Sequence, residues 1–488
     1  MASAARFRRA TGDIAETQNS VSNTQLARPA AVQSDLSLTR SYADSRTSSA
    51  RWEDFSRGPT AWYRGRGTLL LHKPQSPETA VIIQALDTLR CEHVEEEWFR
   101  HLPAYYGHTP ALDLAVEALV QASAYARGEP EVKSGACFQA LSSALSAVQA
   151  SLTNSYEQAT DDMLAATALL APFEGTIKRN GVPSRLHIEG LAAVVAARSN
   201  AQAITQLARD IIDWYAAESC VMACIHGIPS PLESIPQAYY ASDGKSYGES
   251  DAAQLKALGN ELSVHMPRLV NLLRTLRKQP SPQYELLVNA YEISQSLLQL
   301  QDPLVEKRFM LYITDRPSDS FDPGPDCAQR LHFPSARDYE ALACYWQARL
   351  SLLRLERHLY GLFASPEGLT GSTDSQTTPL PLNFGPRTEE MSRLARHLVT
   401  AAENAPALPL FKQQHLLAHS MIVVWGATMD AGVEVSTQTT DSLPELLLYK
   451  VNRSLNTKPW FTSEDMNEAA EMFIGGEPGG KLAKFYGF

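Results

Sequence analysis

An all-α fold is what this sequence predicts, and three observations predict it. Apolar residues recur at three- and four-residue intervals over most of the chain from about residue 78 onward. Ala and Leu, both strong helix formers, fill those stretches. Strict apolar–polar alternation, the mark of half-buried strands, is nearly absent. The architecture expected is a large multi-helix, bundle-like domain behind a disordered N-terminal tail.

The elements follow in order. Residues 1–58 are rich in Ser, Thr, Ala, Asn and Gln and poor in large apolar side chains. Such a segment cannot bury enough surface to offset the entropy of ordering it, so it reads as a tail. Order is expected from about 62–71, where an aromatic and a Leu triplet appear. The stretch 112–125 places Leu112, Val116, Leu119 and Val120 at helical spacing, and 135–152 does the same with Phe138, Leu141, Leu145 and Val148. A third helix opens at Asp161 and Asp162 after Thr160, where first-turn carboxylates suit the positive end of the helix dipole. Leu164, Leu169, Leu170 and Phe173 supply its apolar side. Further helices are expected at 184–197, 201–225, 252–277, 283–300, 336–363, 387–403, 408–430, 443–454 and 463–473. Turn-rich breaks fall at 241–250, 315–335 and 364–386. One helical domain over 59–475 and a C-terminal tail over 476–488 complete the division. No fixed-period repeat is present.

Composition bounds the function. With 44% hydrophobic and 20% charged residues the 488-residue chain reads as globular, and it is long enough to bury a large core. No stretch approaches the ~20 apolar residues of a membrane span, and no basic-then-apolar leader opens the chain. Six scattered cysteines suggest a reducing compartment, cytosol or nucleus. Residues 1–66 hold ten Arg, no Lys and six Asp or Glu, about +4, which leaves the remainder near −15 of the total −11. An acidic body of that kind repels phosphate backbones. Arg6, Arg8 and Arg9 could be the remnant of a basic arm or import signal, but a solvated tail is the favoured reading.

Catalytic signatures are missing. There is no phosphate-binding loop, dinucleotide fingerprint, nucleophile elbow or His-Glu-x-x-His helix. Gly475, Gly476, Gly479 and Gly480 follow no strand and read as flexibility. Three clusters invite a metal. Asp161 and Asp162 suggest paired magnesium ligands, but position 165 is Ala where a third carboxylate belongs, and a helix N-terminus explains both acids. Cys220 and Cys224 lie one turn apart with His226 behind them, yet nothing nearby completes a tetrahedral zinc set, so core packing is preferred. Glu92, Glu95, Glu96 and Glu97, flanked by His93 and His101, would permit a Glu97–His101 pair, although a solvated helix face is the simpler account. The chain is therefore expected to be non-catalytic. No catalytic, metal or cofactor-binding residue is assigned, and the residues of any ligand site stay unassigned.

Ordered blocks are more telling than single residues. Trp98 and Phe99 lead into His101, Leu102, Pro103, Ala104, Tyr105 and Tyr106, and then into the 112–126 helix. Ala140, Leu141, Leu145, Val148 and Leu152 follow. Next come Leu164, Leu169, Leu170, Phe173 and Glu174, then Pro183 and a helix bearing His187, Gly190, Leu191, Val194, Val195 and Arg198. A last block runs over 212–228 into Gly227, Ile228 and Pro229. In this order, over about 98–230, the chain resembles the fungal-specific transcription factor domain, the helical region C-terminal to a fungal binuclear zinc cluster. The residues also make sense on their own. His187, Leu191, Val194 and Arg198 share a helical stripe, Gly190 permits close approach of a neighbouring helix, and Glu174 could pair with His187 or Arg198.

The resemblance implies a regulatory helical domain and a nuclear regulator of transcription, governing a fungal metabolic gene set, secondary metabolism included. Its implied partners are proteins, among them related zinc cluster regulators or a second copy, and a small-molecule effector. The family's DNA-reading module needs six closely spaced cysteines. Here they run from Cys91 to Cys344, so DNA is expected to be reached only indirectly or through a module not in this sequence. The alternatives are a helical lipid-sensing or scaffold protein without DNA targeting and, more remotely, a terpene cyclase-like helical enzyme.

Overall fold

A computed structural model of the chain describes residues 76–88, 98–153, 159–178, 185–198, 204–236, 239, 251–279, 284–314, 331–364, 385–402, 416–430, 442–455 and 458–486. The expected tail over 1–58, the break at 241–250 and most of those at 315–335 and 364–386 lie outside them; 331–335 is described and not helical, whereas Ala364, Gly385 and Pro386, placed in a break, fall in helices. The chain divides into two compact units, Met1–Gln84 and Ala85–Phe488. In sequence, helix α1 (Pro77–Thr88) spans that boundary. All the elements from residue 98 onward belong to the second unit.

The fold is all-α, with no strand among the described residues. A 3-10 turn (Trp98–His101) and short α2 (Leu102–Tyr105) lead into α3 (Pro110–Ala126), α4 (Ser134–Thr153), α5 (Asp161–Lys178), α6 (Arg185–Ala197) and α7 (Gln206–His226). After a second 3-10 turn (Pro231–Ser234) come α8 (Asp251–Lys278), α9 (Tyr284–Leu298), α10 (Pro303–Thr314) and α11 (Ala336–Ala364). The chain continues with α12 (Gly385–Ala401), α13 (Ala418–Met429), α14 (Leu443–Leu455), α15 (Ser463–Met472) and α16 (Gly480–Phe485). None of the described helices is long and apolar enough to cross a membrane.

Local sequence explains the ends. Thr205 caps α7 by accepting from the Ala208 N–H at 3.2 Å, and the helix stops at Gly227, whose φ of +65° suits a residue without Cβ. Thr462 and Asp465 form a reciprocal capping box on α15. Pro110 opens α3, where its missing N–H has no intrahelical role. Pro172 sits inside α5, so the carbonyl of Ala168 loses its helical donor. The buried Tyr215 hydroxyl of α7 donates to that carbonyl at 2.8 Å, turning a helix defect into an interhelical bond.

Packing then builds outward from two helix sets. The α3 helix lies against α4 and α5, and α5 against α6 and α7. Leu112, Val116 and Leu119 of α3 are completely buried. The most extensive contact in the unit joins α8 to α11, with α7, α9 and α10 also on α8. The α13 helix is buried along nearly its whole length and meets α11, α12, α14 and α15.

Two expectations are corrected. Of the apolar side expected for 135–152, Phe138, Leu141, Leu145 and Val148, only Val148 is buried, and α4 buries Cys137, Ala144 and Ser151 beside it. Phe138 and Leu145 are 54% and 43% exposed. The helix carries two apolar stripes, and the one with smaller side chains faces α3 and α5.

The C-terminal residues are also not a loose tail. Gly475, at φ +88°, lies so close to α8 that a Cβ would come within 2.8 Å of the Arg274 nitrogen. Beyond it α16 buries Leu482 and Ala483, and the Tyr486 hydroxyl meets His419 Nε2 at 2.8 Å.

Arg274 ties this segment down. Its Nε donates to the Gly476 carbonyl (2.8 Å) and its Nη2 to those of Cys224 (2.8 Å) and Met472 (3.3 Å). The guanidinium thus serves the carbonyl-rich ends of both α7 and α15. Arg274→Met is expected to cost about 3 kcal/mol, since charged hydrogen bonds contribute roughly 1.5–3 kcal/mol each and do not simply add. Hydrogen exchange should show residues 473–486 losing protection first, while α3 and α5 change little.

Candidate functional site

The blocks singled out between 98 and 230 assemble into one neighbourhood. Trp98 and Phe99 are buried and stacked at 4.3 Å, and Phe99 meets Trp214 of α7 edge-on at 5.7 Å. Beside them Asp210 draws three partners. Arg100 donates to it at 3.0 Å, Gln206 donates at 2.6 Å, and His101 Nε2 lies 2.9 Å away. The acid at His101 is therefore Asp210, while Glu92, Glu95, Glu96 and Glu97 lie outside the described residues.

The α5–α6 contact carries the more specific part of the pattern. His187, Leu191 and Val194 are buried, and Arg198 keeps only 7% of its side chain exposed. A Cβ on Gly190 would meet Thr167 Cγ2 at 3.2 Å, so the absence of one lets α6 settle against α5. His187 Nε2 comes within 3.2 Å of a Glu174 carboxylate oxygen, an ion-pair distance without the alignment of a hydrogen bond. Arg198 does not join Glu174. It pairs with Asp161 and donates to the Ala159 carbonyl at 3.0 Å.

That pairing changes the meaning of the two aspartates. Asp161 faces Arg198 and accepts from the Tyr105 hydroxyl at 3.2 Å. Burial, followed by the Asp161 charge, pushes the Tyr105 hydroxyl up. Burial likewise raises the Asp162 carboxyl, against the pull of His108. One acid thus already has a cation and the other is disfavoured as an anion, the opposite of what a divalent ion asks of paired ligands.

Cys220 and Cys224 are buried in α7, consistent with packing. A hydrogen bond to Cys224, and then burial, holds the Cys220 thiol well above its usual range. Burial and the nearby Arg185 lower His226. No group of three His, Cys, Asp or Glu side chains among the described residues is arranged to hold a metal ion.

The sequence does not disclose a second set of buried charges, built on α11. Arg349 donates to Glu390 (3.0 Å), the Leu298 carbonyl (2.8 Å) and Gln301 (2.8 Å). Arg354, almost wholly buried, donates to Asp430 at 2.8 Å, and His358 Nε2 lies 3.1 Å from the other Asp430 oxygen. Glu356 is 1% exposed, pairs with Arg387 and accepts from Gln295 at 2.9 Å. Glu306 of α10 accepts from Trp346 (3.0 Å) and Arg393 (2.6 Å). Trp346 packs on His397 at 4.9 Å, and burial, then Arg393 and Arg396, lowers that imidazole to about 4.

Each network ties α11 to neighbouring helices by pairing buried cations with buried anions. A buried charge left alone would be costly, so these groups specify how α9–α13 fit together. The only hint in the sequence is Arg349, Arg354 and Glu356 set among leucines in α11, where a solvated charge would not be expected. No family model, no curated protein and no solved structure matches the chain.

Proposed function

We propose that this chain is a regulator of transcription that acts through its helical domain on protein partners, with DNA contacted by a partner or by a separate module. The observation that carries the reading is the α5–α6 contact. Its Glu174, His187, Gly190 and Arg198 are the residues on which the resemblance to the fungal-specific transcription factor domain rests most specifically. They sit at a helix–helix junction, where a pattern that defines a fold belongs. Further support comes from the same junction, where Arg198 pairs with Asp161 and His187 Nε2 lies 3.2 Å from Glu174. An excess of acid over base, −11 for the whole chain, argues against direct contact with a phosphate backbone by the body of the protein. Control of a metabolic gene set, and residence in the nucleus, belong to this proposal.

The test is a deletion strain with transcript profiling, together with localisation of a tagged copy. A restricted set of co-ordinately altered transcripts and nuclear signal are expected. Unchanged transcripts with cytosolic residence would sink the reading.

A further inference from the structure

The α4 helix exposes Phe138 and Leu145, and Leu152 is 41% exposed as well. These three are spaced seven residues apart, so they form one straight stripe along the helix. It lies apart from the face that packs on α3 and α5 through Cys137, Ala144, Val148 and Ser151. Over its 20 residues (SGACFQALSSALSAVQASLT) α4 contains no Asp, Glu, Lys or Arg. Among the described helices of ten residues or more, only the buried α13 shares that property. An ordinary surface helix carries charge on its outer face. This outer face carries Ser, Gln and Ala around three large apolar side chains.

The geometry points to α4 as a self-association surface, on which the stripe of one copy packs antiparallel against the same stripe of a second copy. Seven-residue spacing is the seam that a partner helix fits. A two-fold axis beside Leu145 would set Leu145 against its counterpart and Phe138 against Leu152 of the other copy, because Leu145 is midway between them. Charge favours this occupant. Beyond residue 66 the chain carries about −15, so two copies that meet on that body set like charges against each other, and a helix without ionisable side chains avoids this. A basic or acidic partner would find nothing complementary there. Area sets the strength. A helix of 20 residues offers a face about 30 Å long and about 10 Å wide, which places two copies below the roughly 1,200 Å² where stable interfaces begin. The dimer is therefore weak and concentration-dependent. This inference stands whether or not the chain regulates transcription.

Sedimentation velocity on the full chain, from about 1 to about 100 μM, reads it directly. The wild-type protein is expected to shift from monomer toward dimer across that range. Leu145→Glu and Leu145→Lys should each remain monomeric, with unchanged helical circular dichroism, while their equimolar mixture should associate again. Leu145→Gln, a neutral change on a half-exposed site, should weaken association at least tenfold. A wild-type protein monomeric at every concentration overturns the assignment, and so does association undiminished in Leu145→Gln.

Discussion

Replacing Asp430 by Asn should lower the unfolding free energy by about 3 kcal/mol, read as a fall in the urea midpoint at unchanged slope. Asn keeps the shape and one acceptor, so the loss isolates charge. Asp430 faces Arg354, whose side chain is 2% exposed, and His358. Burial alone would raise the Asp430 carboxyl. The His358 hydrogen bond and the Arg354 charge outweigh it and hold the group at about 2, against 3.8 ordinarily. That depression corresponds to roughly 2 kcal/mol, and removing one partner of a buried pair typically costs about 3–5 kcal/mol, so the expected value falls between.

The sign with pH follows from the direction of the shift. A carboxyl depressed on folding contributes fully above its unfolded value, and the contribution fades as pH falls from about 4 through about 2. Wild-type stability should show that extra acid slope and Asp430→Asn should lack it. A double variant that also carries Arg354→Met should recover part of the loss, because no guanidinium is then left buried without its carboxylate. Recovery depends on space, and Gly426 shows how little there is: a Cβ there would overlap the Arg354 guanidinium.

The helices that packing makes strongly periodic are legible in the sequence. Residues 336–363 are expected to be helical and Ala336–Ala364 is observed, and 463–473 is expected where Ser463–Met472 forms. The α10 helix is not evident from the sequence. It buries Val305, Glu306, Phe309 and Ile313 but exposes Leu304, Leu311 and Tyr312, which blurs its apolar face. Glu174 and His187 are legible as partners because they end and begin consecutive helices. The partner of Arg198 is not, since its acid lies at the far end of α5. Arg354 and Asp430 are 76 residues apart, and no local pattern says which of many surface-like charges will be buried together. The glycines after α15 mislead for the same reason. Composition suggests freedom, while the atoms that confine Gly475 belong to Leu273 and Arg274, about two hundred residues earlier.

Gly259 and Gly361 offer the sharpest contrast, since one substitution should have opposite signs at two glycines of one helix pair. In a helix interior Ala is favoured over Gly by roughly 0.5–1 kcal/mol through backbone entropy. Gly361 of α11 is exposed, and a Cβ there would meet nothing within 4 Å. Gly361→Ala should therefore raise stability by about that amount. Gly259 of α8 sits where α8 crosses α11. A Cβ there would lie 2.9 Å from the Tyr345 nitrogen, 3.0 Å from its Cα and 3.1 Å from the Cys344 carbonyl carbon. These are backbone atoms of a buried helix and cannot rotate aside, so the two helices must part. Their separation would also pull on Lys256, which reaches Asp213 and, at 2.9 Å, Glu340 across the same crossing. Overpacking of this kind costs about 1–3 kcal/mol for a methyl group, more than the propensity gain. Gly259→Val, bulkier and β-branched, should lose about 3 kcal/mol or more. The urea midpoints should rank Gly361→Ala above wild type, then Gly259→Ala, then Gly259→Val. A Gly259→Ala protein as stable as Gly361→Ala would mean that α8 and α11 do not cross this closely.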